Sequence, residues 1–128
     1  MEIGQKVTVP VAARRLWNDT GVVLEQGHTY RFTAVGKWVD AWNRCGPEGY
    51  ASNNVFMRLA ERARRVPSEP WFALIGAQAR DLSTRFAIGV GSECQPRQTG
   101  ELTCFANDVP FLYCNNRGEI ALTIERVA

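Results

Sequence analysis

The clearest structural signal in the sequence is the run GEIALTIE at residues 118–125. Its apolar residues Ile120, Leu122 and Ile124 alternate with residues that are small or polar. Successive side chains of a β-strand point to opposite faces, so this alternation predicts a strand with one buried face. The run TYRFTAV at residues 29–35 alternates in the same way. Two such strands indicate a sheet that packs on a core through one of its faces.

Shorter apolar runs extend this pattern to the rest of the chain. They lie at residues 6–9, 21–24, 38–39, 71–75, 86–90 and 102–106. Between them stand clusters rich in Gly, Asn, Asp and Pro, such as NDTG at 18–21 and GPEG at 46–49, which favour turns. About eight short strands with this spacing predict an all-β fold, an antiparallel β-sandwich.

One segment departs from the strand pattern. Residues 53–65 read NNVFMRLAERARR, in which apolar residues such as Val55 and Leu59 recur at helical spacing. Asn53 or Asn54 can cap such a helix. We therefore expect one short helix here, crossing an end of the sandwich.

Four arginines lie on or beside that predicted helix, at positions 58, 62, 64 and 65. They can form an anion-binding patch, or a solvated face whose long side chains cover apolar surface. No aromatic residue interleaves them in the sequence, as a nucleic-acid stacking surface would require, and this favours the solvated face.

Length and composition exclude several classes of protein. The chain has 128 residues, 45% of them hydrophobic and 22% charged, which is typical of a single globular domain over residues 1–128. No apolar run reaches the ~20 residues of a membrane span. Residues 1–10 lack the apolar stretch of a conventional signal peptide, so we expect a cytoplasmic protein or one released without such a signal. A net charge of +2 does not indicate nucleic acid.

The sequence offers little for catalysis. Its single histidine, His28, follows a glycine in a predicted turn. The enzymatic alternative is a small hydrolase that uses Asp108, Asp40 or Glu48. A glycosidase needs two carboxylates roughly 5–9 Å apart in a cleft, and a small sandwich with one long loop leaves little room for a cleft. We therefore predict that the protein is not an enzyme.

The connection at residues 107–118, NDVPFLYCNNRG, is longer than a hairpin requires. Asp108 offers a carboxylate, and Asn115 and Asn116 offer amide oxygens. Calcium takes six to eight such hard oxygen ligands in flexible geometry. Asn, Asp and Gly are also common in turns, so the residues alone leave open a calcium site and a plain turn.

Three motifs stand in an order that matches a known family. They are AVGKW at residues 34–38, GPEG at 46–49 and the loop NDVPFLYCNNRG at 107–118. Together they resemble the LecA-type, or PA-I-like, galactophilic lectins of bacteria, which have an A-x-G-x-W strand end, a G-P-x-G turn and a calcium loop. Residues 50–70 match this family poorly. The resemblance implies a galactose-binding-domain or jelly-roll-like sandwich that binds calcium.

The resemblance also implies five calcium ligands, three of them side chains and two of them backbone carbonyls. These ligands are the side chains of Asp108, Asn115 and Asn116 and the carbonyls of Leu112 and of Ala41 or its neighbour Asp40. Two sugar hydroxyls would fill the open positions of the ion, and Asp108 and Asn115 would also hydrogen-bond them. The implied function is a calcium-dependent lectin for galactose or a related sugar.

A second sugar contact of that family is missing here. The family has a His and a Gln shortly after the G-P-x-G turn, whereas this chain reads YASNN at residues 50–54. The nearest residues that can replace them are Tyr50, Asn53 and Trp42. Trp42 would stack on the apolar face of a sugar, or it would fill the core or a loop.

The pairing of the four cysteines stays open from the sequence. The absence of a signal peptide favours free thiols. A hairpin that turns at residues 96–100 would set Cys94 opposite Cys104, close enough for a disulfide. The resemblance would bring Cys45 and Cys114 near the calcium end of the molecule, where they form a second possible pair.

Carbohydrate, free or in glycoconjugates, is the expected partner, without nucleic acid or a membrane span. Shallow sugar sites bind single sugars weakly, and affinity then comes from several sites in one assembly. We therefore expect a homo-oligomer, at least a dimer. The alternative function is a non-enzymatic interaction or structural β-sandwich whose calcium loop is vestigial.

Overall fold

The computed structural model describes residues 1–52 and 54–128. Its strands and α-helix follow in the order β1 (Lys6–Ala12), β2 (Asn18–Leu24), β3 (Tyr30–Asp40), β4 (Asn43–Cys45), α1 (Val55–Leu59), β5 (Leu74–Gln78), β6 (Asp81–Ala87), β7 (Gly91–Cys94), β8 (Gly100–Ala106) and β9 (Asn116–Arg126).

Two antiparallel sheets pack face to face, which confirms the predicted sandwich. The first sheet has the strand order β1-β9-β3-β4, and β7 also pairs with β3. The second sheet has the order β2-β8-β5-β6. Side chains from both sheets, such as Leu122 and Leu102, belong to one buried core.

The pair β3 and β9 is the longest ladder of the first sheet. Its register runs from Tyr30 opposite Arg126 to Asp40 opposite Asn116. The predicted alternation of β9 is confirmed, because Ile120, Leu122 and Ile124 are all buried while most of the residues between them are not. This ladder fixes which residues of its two strands face the core at either end.

The central strands of the second sheet, β5 and β8, are deeply buried. Every residue of β5 is buried, because one face of this strand packs on the first sheet and the other is covered. Part of that cover is Val66, which packs with Ile75 of β5 and Phe105 of β8. The segment between α1 and β5 therefore forms an outer layer over the second sheet.

The hairpin expected between Cys94 and Cys104 is wrong. Cys94 ends β7, which pairs with β3 in the first sheet, whereas Cys104 lies in β8 of the second sheet. The chain crosses from one sheet to the other in the turn between them. Cys45 is buried and Cys114 is exposed, and all four cysteines are free thiols.

The predicted helix forms, but it is short. Asn54 caps it by accepting a hydrogen bond from the Phe56 N–H at 2.9 Å, and the last turns continue as a 3-10 helix at Glu61–Ala63. Val55 and Leu59 are exposed rather than packed on the core, so their helical spacing does not mark a buried face. Among the described residues, no helix has the length and apolar character that a membrane crossing requires.

Candidate functional site

Three segments meet at one end of the sandwich. They are the end of β3 at Asp40, the start of β9 at Asn116, and the loop that follows β8. Asp40 and Asn116 are direct partners in the β3–β9 register, and the ladder continues one step further, where the Ala41 N–H donates to the Asn115 carbonyl at 3.2 Å. Because partners across an antiparallel ladder point to the same face, the side chains of Asp40 and Asn116 lie together on the inner face of the first sheet, at this end of the sandwich.

Asp108 and Asn116 bury acceptor oxygens that are unsatisfied. Asp108 is 2% exposed; its Oδ1 accepts from the Val109 N–H at 2.7 Å, while its Oδ2 finds no partner among the described residues. Asn116 is 0% exposed and donates through Nδ2 to the Ala13 carbonyl at 3.1 Å, and its Oδ1 likewise has no partner in the described chain. Buried acceptors are normally paired, and a cation would satisfy both.

Asp40 brings a second carboxylate to this end of the molecule. It is 8% exposed, and its Oδ2 accepts a hydrogen bond from the Tyr50 hydroxyl at 2.5 Å. Asn43 Nδ2 donates in turn to the Tyr50 hydroxyl at 3.4 Å. Burial raises the pKa of Asp40, and the bond from Tyr50 partly opposes that rise.

The two carboxylates lie close enough to affect one another. Burial raises the pKa of Asp108 to about 6, and the negative charge of Asp40 adds to this rise. The Val109 N–H and the side-chain amide of Asn116, which lies beside the carboxylate, oppose it. Within the described part of the chain, neither carboxylate takes part in an ion pair. Two buried acids without a cation are costly, and the site as it stands favours a bound positive charge.

The two predicted backbone ligands are Ala41, which follows Asp40 at the end of β3, and Leu112, which lies in the loop after β8. Ala41 has a φ of 56°, in the left-handed region that non-glycine residues seldom adopt. Its carbonyl accepts from Arg117 Nη2 at 3.2 Å. Leu112 precedes a 3-10 helix at Tyr113–Asn115 and is partly exposed. The side chain of Asn115, the third predicted side-chain ligand, is exposed.

The predicted sugar contacts differ in their surroundings. Trp42 follows Ala41 directly and is 84% exposed, so it does not fill the core. Tyr50 is half-buried, and its hydroxyl is engaged with Asp40. Asn53 lies outside the described residues. The exposed indole of Trp42 is accessible to a ligand, and indole faces stack on apolar surfaces.

Asn107 anchors the base of the loop. Its side chain accepts from the Val66 N–H at 2.9 Å and donates to the carbonyls of Val66, Glu69 and Pro70 at 2.8, 3.2 and 3.0 Å. The residue is fully buried. Asn107 therefore fixes the start of the loop to the outer layer, and with it the backbone position of Asp108.

Arg65 is a structural residue that the sequence did not reveal as such. Its guanidinium lies 3.5 Å from the ring centroid of Phe105 and 4.5 Å from that of Trp17. It also donates to the Tyr113 hydroxyl at 3.1 Å, and its backbone N–H donates to the Asp108 carbonyl at 3.1 Å. Arg65 thus covers apolar surface, as the solvated-face interpretation expected, but it is only partly exposed and its guanidinium itself lies on the aromatic rings.

Arg64 behaves in a similar way, since its guanidinium lies 5.0 Å from the ring of Trp71. The aromatic partners of both arginines come from other parts of the sequence, so residues 53–65 alone do not reveal them. Cation–π contacts of this kind stabilise the packing of the outer layer next to the candidate site.

No protein-family model and no curated protein sequence matches the chain. Among solved structures, it is similar to one described as "EclA N-terminal domain; PllA-like lectin", with a TM-score of 0.68. The two share 18% sequence identity over 93% of this chain and 94% of the other. The chain thus has a lectin-like β-sandwich fold along nearly its whole length.

Proposed function

We propose that the protein is a non-enzymatic, calcium-dependent carbohydrate-binding protein of the LecA type. The observation that carries this proposal is the pair of buried, unsatisfied acceptor oxygens, Asp108 Oδ2 and Asn116 Oδ1, at one end of the sandwich. The similarity of fold to a domain described as a lectin supports the same conclusion.

The residues at this end fit calcium in particular. The donors are all hard oxygens: carboxylates of Asp108 and Asp40, amide oxygens of Asn115 and Asn116, and nearby backbone carbonyls. Calcium prefers such ligands and tolerates irregular geometry. Soft metals prefer thiolate or imidazole ligands, and neither belongs to this donor set. The ligand carbonyls would come from Ala41 and Leu112, as the family resemblance implies.

A bound calcium would supply open coordination positions for two sugar hydroxyls. Around it, the chain contributes the rest of the recognition. Asp108 and Asn115 would hydrogen-bond the same hydroxyls, and the exposed indole of Trp42 would cover an apolar sugar face. We assign galactose or a related sugar as the ligand.

The alternative is an interaction or structural sandwich whose loop no longer binds calcium. One contact favours it: Arg117 Nη2 donates to the Ala41 carbonyl, which is one of the proposed ligands. Under the proposed function the carbonyl would bind the ion through its second lone pair or exchange the arginine for the ion. The two hypotheses therefore differ in a measurable property, the binding of calcium.

We further propose that the protein acts as a homo-oligomer, at least a dimer. A single shallow sugar site binds weakly, and several sites on one particle raise the avidity by orders of magnitude. Sedimentation at micromolar concentration tests the assembly. A monomer under those conditions would argue against it.

A glycan array probed with and without a calcium chelator tests the function directly. We expect binding to a subset of glycans that carry terminal galactose or a related sugar, and its loss in the chelator. The matched control is Asp108→Asn, which keeps the shape of the side chain but removes its charge. Array binding that persists unchanged in the chelator and in this variant would refute the calcium mechanism.

A further inference from the structure

We propose that Asp40, held in place by Tyr50, is a second anionic group of the calcium site and sets its calcium affinity. This inference rests on the proposed function. The family resemblance implies only a backbone carbonyl from this stretch of chain, so a carboxylate at position 40 is a property of this protein.

The register of the first sheet places Asp40 beside the proposed ligands. Asp40 is the last residue of β3 and the direct partner of Asn116 on β9. Directly opposed residues of an antiparallel pair have Cβ atoms about 4.5–5.5 Å apart on the same face. Both residues are buried, so the carboxylate of Asp40 and the unsatisfied amide oxygen of Asn116 share the inner face of the ladder.

Tyr50 fixes the orientation of this carboxylate. Its hydroxyl donates to Asp40 Oδ2 at 2.5 Å. Tyr50 is itself held by its backbone N–H, which donates to the Trp71 carbonyl at 2.8 Å. One oxygen of Asp40 is thereby occupied, and the other is left to face the ion or a water molecule bound to it.

The charges around Asp40 also favour a bound cation. Its sequence neighbours Lys37 and Arg44 are exposed on their strands, and Asp40 belongs to no ion pair among the residues described. Arg117 is close, but it donates to the Ala41 carbonyl rather than to the carboxylate. A calcium ion between Asp40 and Asp108 would be fully neutralised, whereas Asp108 alone would neutralise half of its charge.

The test is a calorimetric titration of the full chain with calcium alone. Groups that support a metal site from just outside its ligands typically change metal affinity by about 10- to 100-fold. We expect Asp40→Asn to weaken calcium binding by that factor, and Tyr50→Phe to weaken it less and in the same direction. Glu48→Gln is the matched control, because it removes one negative charge from an exposed position near this end and is expected to change the affinity by less than about twofold.

Two comparisons keep the outcome decisive. If Asp40→Asn binds calcium as tightly as Glu48→Gln does, while Asp108→Asn does not bind it, the role of Asp40 is refuted and the proposed function stands. If the parent protein binds no calcium, both the role of Asp40 and the proposed calcium-dependent function are refuted. A purely structural role for Asp40 predicts a lower melting temperature of the metal-free Asp40→Asn protein. Our proposal predicts an equal or higher one, because a buried charge is removed. Should Asp40→Asn not fold, the Tyr50→Phe titration decides.

Discussion

Along the paired strands β3 and β9, most inward positions bury hydrocarbon, whereas the last ones bury polar groups. Tyr30, Phe32 and Trp38 point into the core from β3, and the same alternation then brings Asp40 inward. On β9, Ile120 and Leu122 are buried in the core, and Asn116 is buried at the end of the strand that pairs with Asp40. One periodic rule therefore builds both regions, and only the chemistry of the side chains separates a stable core from a binding site.

The apolar region is where a substitution should cost most. Leu122 is fully buried within the core shared by both sheets. Replacement of a buried leucine by alanine removes hydrocarbon contacts and leaves a cavity, which costs about 2–5 kcal/mol. We expect Leu122→Ala to lower the free energy of unfolding in urea by that amount. At the polar end, Asp108→Asn should cause no such loss in metal-free protein, and an equal loss would contradict the comparison.

The polar region should respond to pH in the direction set by Asp108. Its pKa in the folded protein is about 6, above the ordinary value near 3.9. The folded state therefore holds this proton more tightly, and metal-free stability falls as the pH rises from about 4 to above 6. A rise in pKa of this size corresponds to a decrease of about 3 kcal/mol in the free energy of unfolding across that pH range. We expect the free energy of unfolding of the parent protein to fall by this amount relative to that of Asp108→Asn as the pH rises. Urea unfolding of both proteins at a series of pH values measures this. A difference between the two that does not change with pH would contradict the prediction.

Calcium should offset the loss of stability that the buried carboxylates cause in the metal-free protein. An ion that binds only the folded state stabilises it by about 2.7 kcal/mol at one hundred times its dissociation constant. We expect a matching rise in melting temperature on addition of calcium, reversed by chelator. Asp108→Asn should abolish this rise together with any sugar binding. An unchanged rise in that variant would show that calcium acts elsewhere.

Substitution of Arg117 should have the smallest effect on the polar end of the molecule. Its guanidinium donates to the Ala41 carbonyl and carries a positive charge beside the proposed ion. We expect Arg117→Ala to leave the fold intact and to leave calcium affinity unchanged or raise it by a few-fold, because exposed charges contribute little. Calorimetry measures this, with Arg85→Ala, an exposed arginine on β6, as the control. Weaker calcium binding in Arg117→Ala would mean that this arginine supports the site.

Sequence periodicity sufficed for the sandwich and for its central strands. The alternation at residues 118–125 corresponds to β9, and the alternation at 29–35 corresponds to β3. The site residues stay a prediction: the structure buries Asp108 and Asn116, and it places Asn116 at the start of β9 rather than in the loop. Local patterns are informative wherever the structure itself repeats along the chain.

Contacts between distant segments were not predictable in this way. The partnership of Tyr50 with Asp40, and the stacking of Arg65 on Phe105 and Trp17, depend on how loops fold over the sheets. The error at Cys104 has the same cause, since no local signal marks a chain that crosses between sheets. The exposed apolar residues of α1 show the converse, because helical spacing there does not imply burial.

The way the polar end is assembled also bears on how long the folded molecule lasts. Asp40 and Asn116, which pair there, are 76 residues apart in the sequence, and contacts between such distant residues are slow to form. An ion that requires these groups together cannot bind until the strands have paired. Interactions that are absent from the transition state act on the unfolding rate. Calcium at this site would therefore leave the rate of folding unchanged and lengthen the lifetime of each folded molecule.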